Sequence, residues 1–307
     1  MRNELIKFLE SKAGTPEFEK FIFITGDLGF SVIEPLQKLL GPRFINAGIA
    51  EALMMSMAAG LASEGYKVYV YSIVPFTTFR CLEQIRNDVC YHSLDVNIVG
   101  IGAGYGYGTL GPTHHSTEDL AAMAAIPNLT VFNPGDLSEA EWCFEKSWNE
   151  KGAKYLRLSK GGDKHLQLQN QSQVSAAWEV KSGHKLAVIA TGTVLPDVYA
   201  SLQAERDLWE NVQLVSIPVM KPFPTDQIIQ IIGKKPMVCV SELNPYGGLE
   251  GQLARVVRKN NNPILASREA SEFFATVPGS AEFQRKNLGL DTSSLRNFFR
   301  ENLVQFK

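Results

Sequence analysis

Up to Lys160, short runs of consecutive apolar residues alternate with longer amphipathic stretches, and Gly and Pro mark the junctions. Phe21-Ile22-Phe23-Ile24-Thr25 is unbroken by polar positions and ends at Gly26-Asp27, the pattern of a strand buried on both faces. A helix is predicted over about 47–64 with Gly65 as its C-cap, followed by a strand at Lys67 to Ile73. The cycle repeats with a helix at about 79–93, a strand at Val96 to Ile101 and a glycine-rich loop. It repeats again with helix Thr117 to Ala125, strand Thr130 to Phe132, helix Ser138 to Asn149 and strand Lys154 to Leu158. Short connections between alternating strands and helices predict parallel βαβ units in a doubly wound sheet.

The pattern lapses at Lys160-Gly161-Gly162 and stays polar through Gln167 to Gln173, which reads as a linker over 161–175. It restarts with strand Lys185 to Ala190, helix 196–208 and strand Gln213 to Ile217, is interrupted by Pro218, Pro222 and Pro224, then resumes with helix 225–232 and strand Met237 to Val240. Two α/β domains are therefore expected, over 1–160 and, smaller, over 176–307.

Composition narrows the function classes. The 307 residues carry 30 Lys and Arg against 32 Asp and Glu, a net of −2, with no basic block to neutralise a phosphate backbone, so nucleic acid is not an expected partner. Charges interrupt the apolar positions of the first ten residues, unlike a secretory signal. The longest small-apolar stretch, Ala47 to Ala62, is broken by Glu51 and falls short of the roughly 20 residues of a membrane span, so a cytoplasmic location without membrane association is expected. Cys81, Cys90, Cys143 and Cys239 lack metal or redox spacing and read as reduced, structural thiols.

Two segments could carry chemistry. Arg43 to Ala62 is rich in Ala, Gly and Met, reads as a helix apolar around most of its circumference, and is expected to be buried with Glu51 near its start. That carboxylate either makes a first-turn contact with the helix dipole or handles a proton in a closed site. Gly102 to His115 follows a strand, fails the G-x-G-x-x-G pattern, and alternates glycine in a way that suits close backbone approach to a ligand or another chain. The adjacent His114 and His115 point in different directions, which disfavours a shared metal site. One of them would face a ligand beyond a parallel strand's carboxyl end, or make only a structural hydrogen bond.

Phe44-Ile45-Asn46-Ala47-Gly48-Ile49-Ala50-Glu51 resembles the transketolase family's segment around its catalytic glutamate, and Gly111-Pro112-Thr113-His114 resembles its substrate-site histidine loop. Glu118-Asp119-Leu120, Ile126 to Val131, Asn133-Pro134-Gly135-Asp136 and, in the second domain, Asn244 to Leu249 continue the match in order. The resemblance implies a pyrimidine-binding domain followed by a transketolase C-terminal domain, and thiamine diphosphate as cofactor. It implies that Glu51 hydrogen-bonds the aminopyrimidine ring nitrogen, that Ile49, Phe76 and Phe79 contact the cofactor, and that Ser31, His114 and Lys160 contact substrate, with Glu51 and His114 catalytic.

The family holds Mg²⁺ through a Gly-Asp-Gly motif and a downstream Asn on a preceding domain. Gly26-Asp27-Leu28 is the nearest segment here and lies in the wrong domain, so no metal ligand is assigned to this chain and a second, N-terminal subunit is expected to hold the diphosphate. An α2β2 heterotetramer follows, with sugars or sugar derivatives as substrates of ketol transfer. The family's phosphate-binding histidine falls at Gly102, its hydroxyl-binding aspartate at Leu110, an arginine at Lys160, and the two pyrimidine-packing phenylalanines at Val74 and Thr77. These departures point away from simple sugar phosphates. The alternatives weighed are the β subunit of a 2-oxo acid decarboxylating dehydrogenase complex and a non-catalytic structural subunit.

Overall fold

The computed structural model describes residues 1–162, 166 and 174–306. Most of the linker read at 161–175, including its polar run, lies outside the described residues. The strands are β1 (Phe21–Thr25), β2 (Phe44–Asn46), β3 (Lys67–Ile73), β4 (Val96–Ile101), β5 (Leu129–Phe132), β6 (Ala153–Leu158), β7 (Trp178–Lys181), β8 (Leu186–Ala190), β9 (Val212–Ser216), β10 (Val219–Lys221), β11 (Met237–Val240) and β12 (Ile264–Arg268). They form a seven-stranded sheet in the order β10-β5-β6-β4-β3-β1-β2 and a five-stranded sheet in the order β12-β11-β8-β9-β7. The first is parallel except for β10, the second parallel except for β7.

Both faces of the first sheet are covered, as the unbroken apolar run of β1 requires. Ile22 and Ile24 face one layer with Met54, Met55 and Ala58 of the helix Glu51–Ser63, while Phe21 and Phe23 face the other with Leu5, Leu9, Phe144 and Trp148. This two-residue alternation is intrinsic to an extended strand. The first layer continues without a break into Ile189, Val215 and Met237 of the second sheet and Ile217 just after β9, so the two sheets share apolar core. Truncating Met54, fully buried in that layer, to Ala would cost about 2–5 kcal/mol.

Several expectations are corrected. Arg43 to Ala62 is not one helix: Phe44–Asn46 is a strand, and the helix begins at Glu51. The cause is local, since Gly48 has φ +71° and the Asn46 side chain accepts from the backbone N–H groups of Asp27 and Gly48, which holds the chain in a turn. Nor is the helix buried all round, because Ala52, Leu53, Ser56 and Gly60 face outward and Leu53 is 58% exposed.

The helix read at 79–93 is a 3₁₀ turn (Phe79–Cys81), a short α turn (Leu82–Gln84) and a π segment (Ile85–Cys90). That read at 196–208 is two helices, Leu195–Gln203 and Arg206–Asn211. The stretch read as broken by prolines contains β10, which crosses to the first sheet and pairs antiparallel with β5. Among the described residues no helix is long and apolar enough to cross a membrane.

Candidate functional site

Open parallel sheets gather their loops at the carboxyl ends of the strands. Here Ser31 follows β1, Glu51 follows β2, Val74 to Arg80 follow β3, the glycine-rich loop with His114 follows β4, and Lys160 follows β6, so every predicted site residue lies at this one edge.

Glu51 is the first residue of its helix and only 4% exposed. Its Oε1 accepts from Arg80 Nη1 at 2.9 Å, and Arg80 is its only side-chain partner among the described residues. The bond joins a carboxylate set into the core to a guanidinium that is 46% exposed. A salt bridge explains how a carboxylate tolerates this burial, and the sequence did not identify Arg80 as the partner.

Arg80 lies on the Phe76 ring, its Cζ 3.7 Å from the centroid, and Phe76 meets the His114 ring edge-on with centroids 5.2 Å apart. His114 is followed by Tyr107 at 6.4 Å, and Tyr107 carries the Lys160 ammonium 4.6 Å above its ring. Glu51, Arg80, Phe76, His114, Tyr107 and Lys160 therefore form one continuous strip. Burial, then the Arg80 guanidinium and then His115, hold the His114 pKa below the usual imidazole value, so His114 is mainly neutral near pH 7. Its Nδ1 pairs with the Thr113 hydroxyl at 2.9 Å.

The two histidines do point in different directions. His115 is buried, with Nε2 3.0 Å from the Gly108 carbonyl oxygen, which pins the loop. Ile49 is 79% and Phe79 39% exposed. Ser31 has φ +67° and donates its backbone N–H to Glu34. No hydrogen bond, ion pair or ring contact among the described residues joins Ser31, Ile49 or Phe79 to the strip. Val74 and Thr77 are fully buried, Val74 beneath Gly100, so Phe76 and Phe79 are the aromatics of this turn that reach its outer side.

Arg80 and Tyr107 were missed from the sequence. Nothing local marks Arg80, whereas Tyr107 stands among alternating glycines, and its structure explains one of them. Gly102 has φ +92°, and a Cβ there would run into the Tyr107 ring. The Tyr107 ring fills the space that a side chain at 102 would take.

The loop is fastened from below by a buried network. Arg157, 1% exposed, donates from Nε to Asp119 (3.0 Å), from Nη1 to Asn133 Oδ1 (3.1 Å) and from Nη2 to the Ser116 carbonyl oxygen. Tyr155 donates its hydroxyl to Asp119 at 2.7 Å, and Asn133 Nδ2 donates to Thr191 Oγ1 at 3.0 Å, reaching the second sheet. Asp119 and Asn133, both in motifs noted from the sequence, thus support the His114 loop without facing it.

Residues 12–162 match the family model described as transketolase, pyrimidine binding domain, and residues 185–282 match that of pyruvate:ferredoxin oxidoreductase core domain II. The putative transketolase C-terminal section of Methanocaldococcus jannaschii is 31% identical over 295 residues, covering 94% of this chain and 92% of that protein. An apulose-4-phosphate transketolase subunit of Actinobacillus succinogenes is 28% identical over 268 residues, covering 86% of each. A solved split gene transketolase, described as an inactive beta4 tetramer, shares the fold with a TM-score of 0.86 at 23% identity, over 99% of this chain and 98% of that one.

Proposed function

This chain belongs to the transketolase family, and on that premise we propose that it is the C-terminal subunit of a split, thiamine-diphosphate-dependent enzyme that transfers a ketol unit between sugars or sugar derivatives. The observation that carries the reading is Glu51, a buried carboxylate at the ligand-binding edge of a parallel sheet, with a surface-exposed arginine as its only side-chain partner among the described residues. The residues present fit the cofactor. Glu51 offers the acceptor for a ring nitrogen, while Ile49, Phe76 and Phe79 offer the apolar contact that an aromatic ring needs. When bound, thiamine diphosphate supplies the carbanion stabilisation of the reaction.

In this reading Glu51 holds the proton shared with the ring nitrogen, and its burial strengthens that hydrogen bond. His114, neutral and seated between Phe76 and Tyr107, hydrogen-bonds the reacting oxygens of the substrate. Lys160 and Ser31, at the same edge, hold its distal groups. Asp27, in the segment nearest to the family's metal motif, is instead engaged by Asn46 at 2.9 Å. We assign Mg²⁺ and the diphosphate to an N-terminal partner subunit. Leu53, Ile49 and Phe79, apolar and exposed beside Glu51, are suited to lie beneath that subunit. Two copies of each chain in an α2β2 assembly satisfy such surfaces with closed symmetry. The four cysteines are free and buried, which suits the reducing cytoplasm.

The test compares this chain alone with the assembled complex. Alone, it should show no transferase activity and poor binding of thiamine diphosphate with Mg²⁺ in calorimetry. With the partner, a ketose donor rather than pyruvate should be turned over. Glu51→Gln should leave the complex assembled and lower turnover about 10²-fold or more, the scale of an acid–base group. Tight cofactor binding by the isolated chain, or a fully active Glu51→Gln complex, would overturn the reading.

A further inference from the structure

We infer that Arg80 is the positioning residue of Glu51: it pairs with the buried carboxylate and keeps it aimed while no cofactor is bound, and releases it when a cofactor ring docks. The inference rests on the assignment of Glu51 as the ring-nitrogen acceptor, and concerns what occupies that acceptor beforehand. Arg80 Nη1 lies 2.9 Å from Glu51 Oε1, and a ring nitrogen that shares with this carboxylate a proton taken up from solvent on docking competes with the guanidinium for it.

The two ends of the pair differ in the way that such an exchange requires. Glu51 is fixed, 4% exposed at the first turn of a thirteen-residue helix, so it cannot turn away to solvent. Arg80 is 46% exposed on a long, flexible side chain, so water can take over its charge. A second resting place is already built, because the guanidinium stacks on Phe76 at 3.7 Å and keeps this contact if the bond to Glu51 opens.

Burial also explains why a placeholder is needed. A carboxylate taken out of water without a counter-charge is strongly destabilising, and in the absence of cofactor nothing else among the described residues supplies one. The groups near Glu51 from the neighbouring elements are Arg80 and the Cys81 thiol, whose pKa is pushed up to about 12 by burial and then by Glu51, with Ser72 of β3 and Gly26 after β1 close by. Of these only Arg80 carries a positive charge. Arg80 therefore stabilises the free subunit and weakens the cofactor's hold, two effects of opposite sign from one contact.

That opposition is the test. In the assembled complex, Arg80→Met should tighten thiamine diphosphate binding with Mg²⁺, measured by calorimetry, by about tenfold, the scale of one charge-assisted hydrogen bond no longer competed for. The isolated Arg80→Met chain should melt at lower temperature than the unsubstituted chain. Arg80→Lys should return both properties toward those of the original, and Arg80→Gln serves where the Met variant fails to assemble. An arginine that only supported the fold would give weaker binding together with lower stability, and that result, or unchanged affinity, overturns the inference. If the unsubstituted complex binds no thiamine diphosphate, or Glu51→Gln binds it equally well, the assignment of Glu51 fails instead. Weakened binding by Glu51→Gln without tightening by Arg80→Met refutes the role of Arg80 alone.

Discussion

Asp119→Ala tests whether the network beneath the His114 loop is a structural support. Asp119 is fully buried and accepts from Arg157 Nε at 3.0 Å and from the Tyr155 hydroxyl at 2.7 Å. Its removal leaves a guanidinium that is 1% exposed without its counter-charge, a loss of about 3–5 kcal/mol for a broken buried pair. It also orphans the Tyr155 hydroxyl, worth about 1–3 kcal/mol when nothing replaces the acceptor. The two losses share a partner and overlap, so about 4–6 kcal/mol is expected, and the melting temperature should fall by more than about 8 °C, at about 2–4 °C per kcal/mol for a large domain. Because Arg157 also donates to the Ser116 carbonyl oxygen, amide exchange through the loop 102–116 should accelerate more than in the helix Glu51–Ser63. Urea unfolding with exchange measured by mass spectrometry reads both quantities. Asp119→Leu combined with Arg157→Met, which removes both charges, should recover most of the stability. A cost for Asp119→Ala below about 1 kcal/mol, or a double variant no better than the single, would refute the account.

Glu139 should make stability depend on pH. It is buried between Trp178 Nε1 (2.7 Å) and the Gly135 N–H (2.7 Å), and burial, then Asp136, push its pKa up to about 7. The unfolded chain loses this proton near about pH 4.3, so between there and pH 7 the native state binds more protons. Stability contributed by this group falls as pH rises through that window, and Glu139→Gln should flatten the slope in melts between about pH 4.5 and 7.5. Gly102→Ala adds a methyl at φ +92° against the Tyr107 ring and should destabilise by about 1–3 kcal/mol in urea unfolding, whereas a surface glycine in open space such as Gly251 should tolerate the same change. For substrate preference, the assembled complex should favour deoxy, modified or nucleotide-linked sugars over xylulose 5-phosphate in kcat/KM, because Leu110 and Gly102 offer no carboxylate or imidazole to a hydroxyl or phosphate. Efficient turnover of xylulose 5-phosphate at or above the others would refute that expectation.

The doubly wound architecture was legible in the residues because buried parallel strands must be apolar throughout, as Phe21 to Thr25 are, and the intervening helices must be long enough to cross back. Glu51 and the His114-His115 pair stood out for a related reason, since a carboxylate in an Ala-rich run and histidines among glycines violate the local pattern, but the roles given to Glu51 and His114 came through resemblance. Ile49, Phe76, Phe79, Ser31 and Lys160 came only through resemblance, and the structure draws Phe76 and Lys160 into the strip while leaving the other three without a contact to it among the described residues. Strand β10 was hidden because its pairing partner, β5, is remote in the chain, and no periodicity within Val219–Lys221 says which sheet it joins. The exposed side of the helix Glu51–Ser63 was hidden because its residues are apolar or small all round, so nothing in their order separates the core face from the outer one. Arg80 was the deepest omission. An arginine between Phe79 and Cys81 is unremarkable in sequence, and only folding, by bringing the turn after β3 over the first turn of the helix after β2, sets its guanidinium against Glu51. Sequence determines which residues violate the expected pattern, because that is a property of neighbours along the chain. Their charge partners are decided by the tertiary structure, because at the edge of a parallel sheet the neighbours come from different loops.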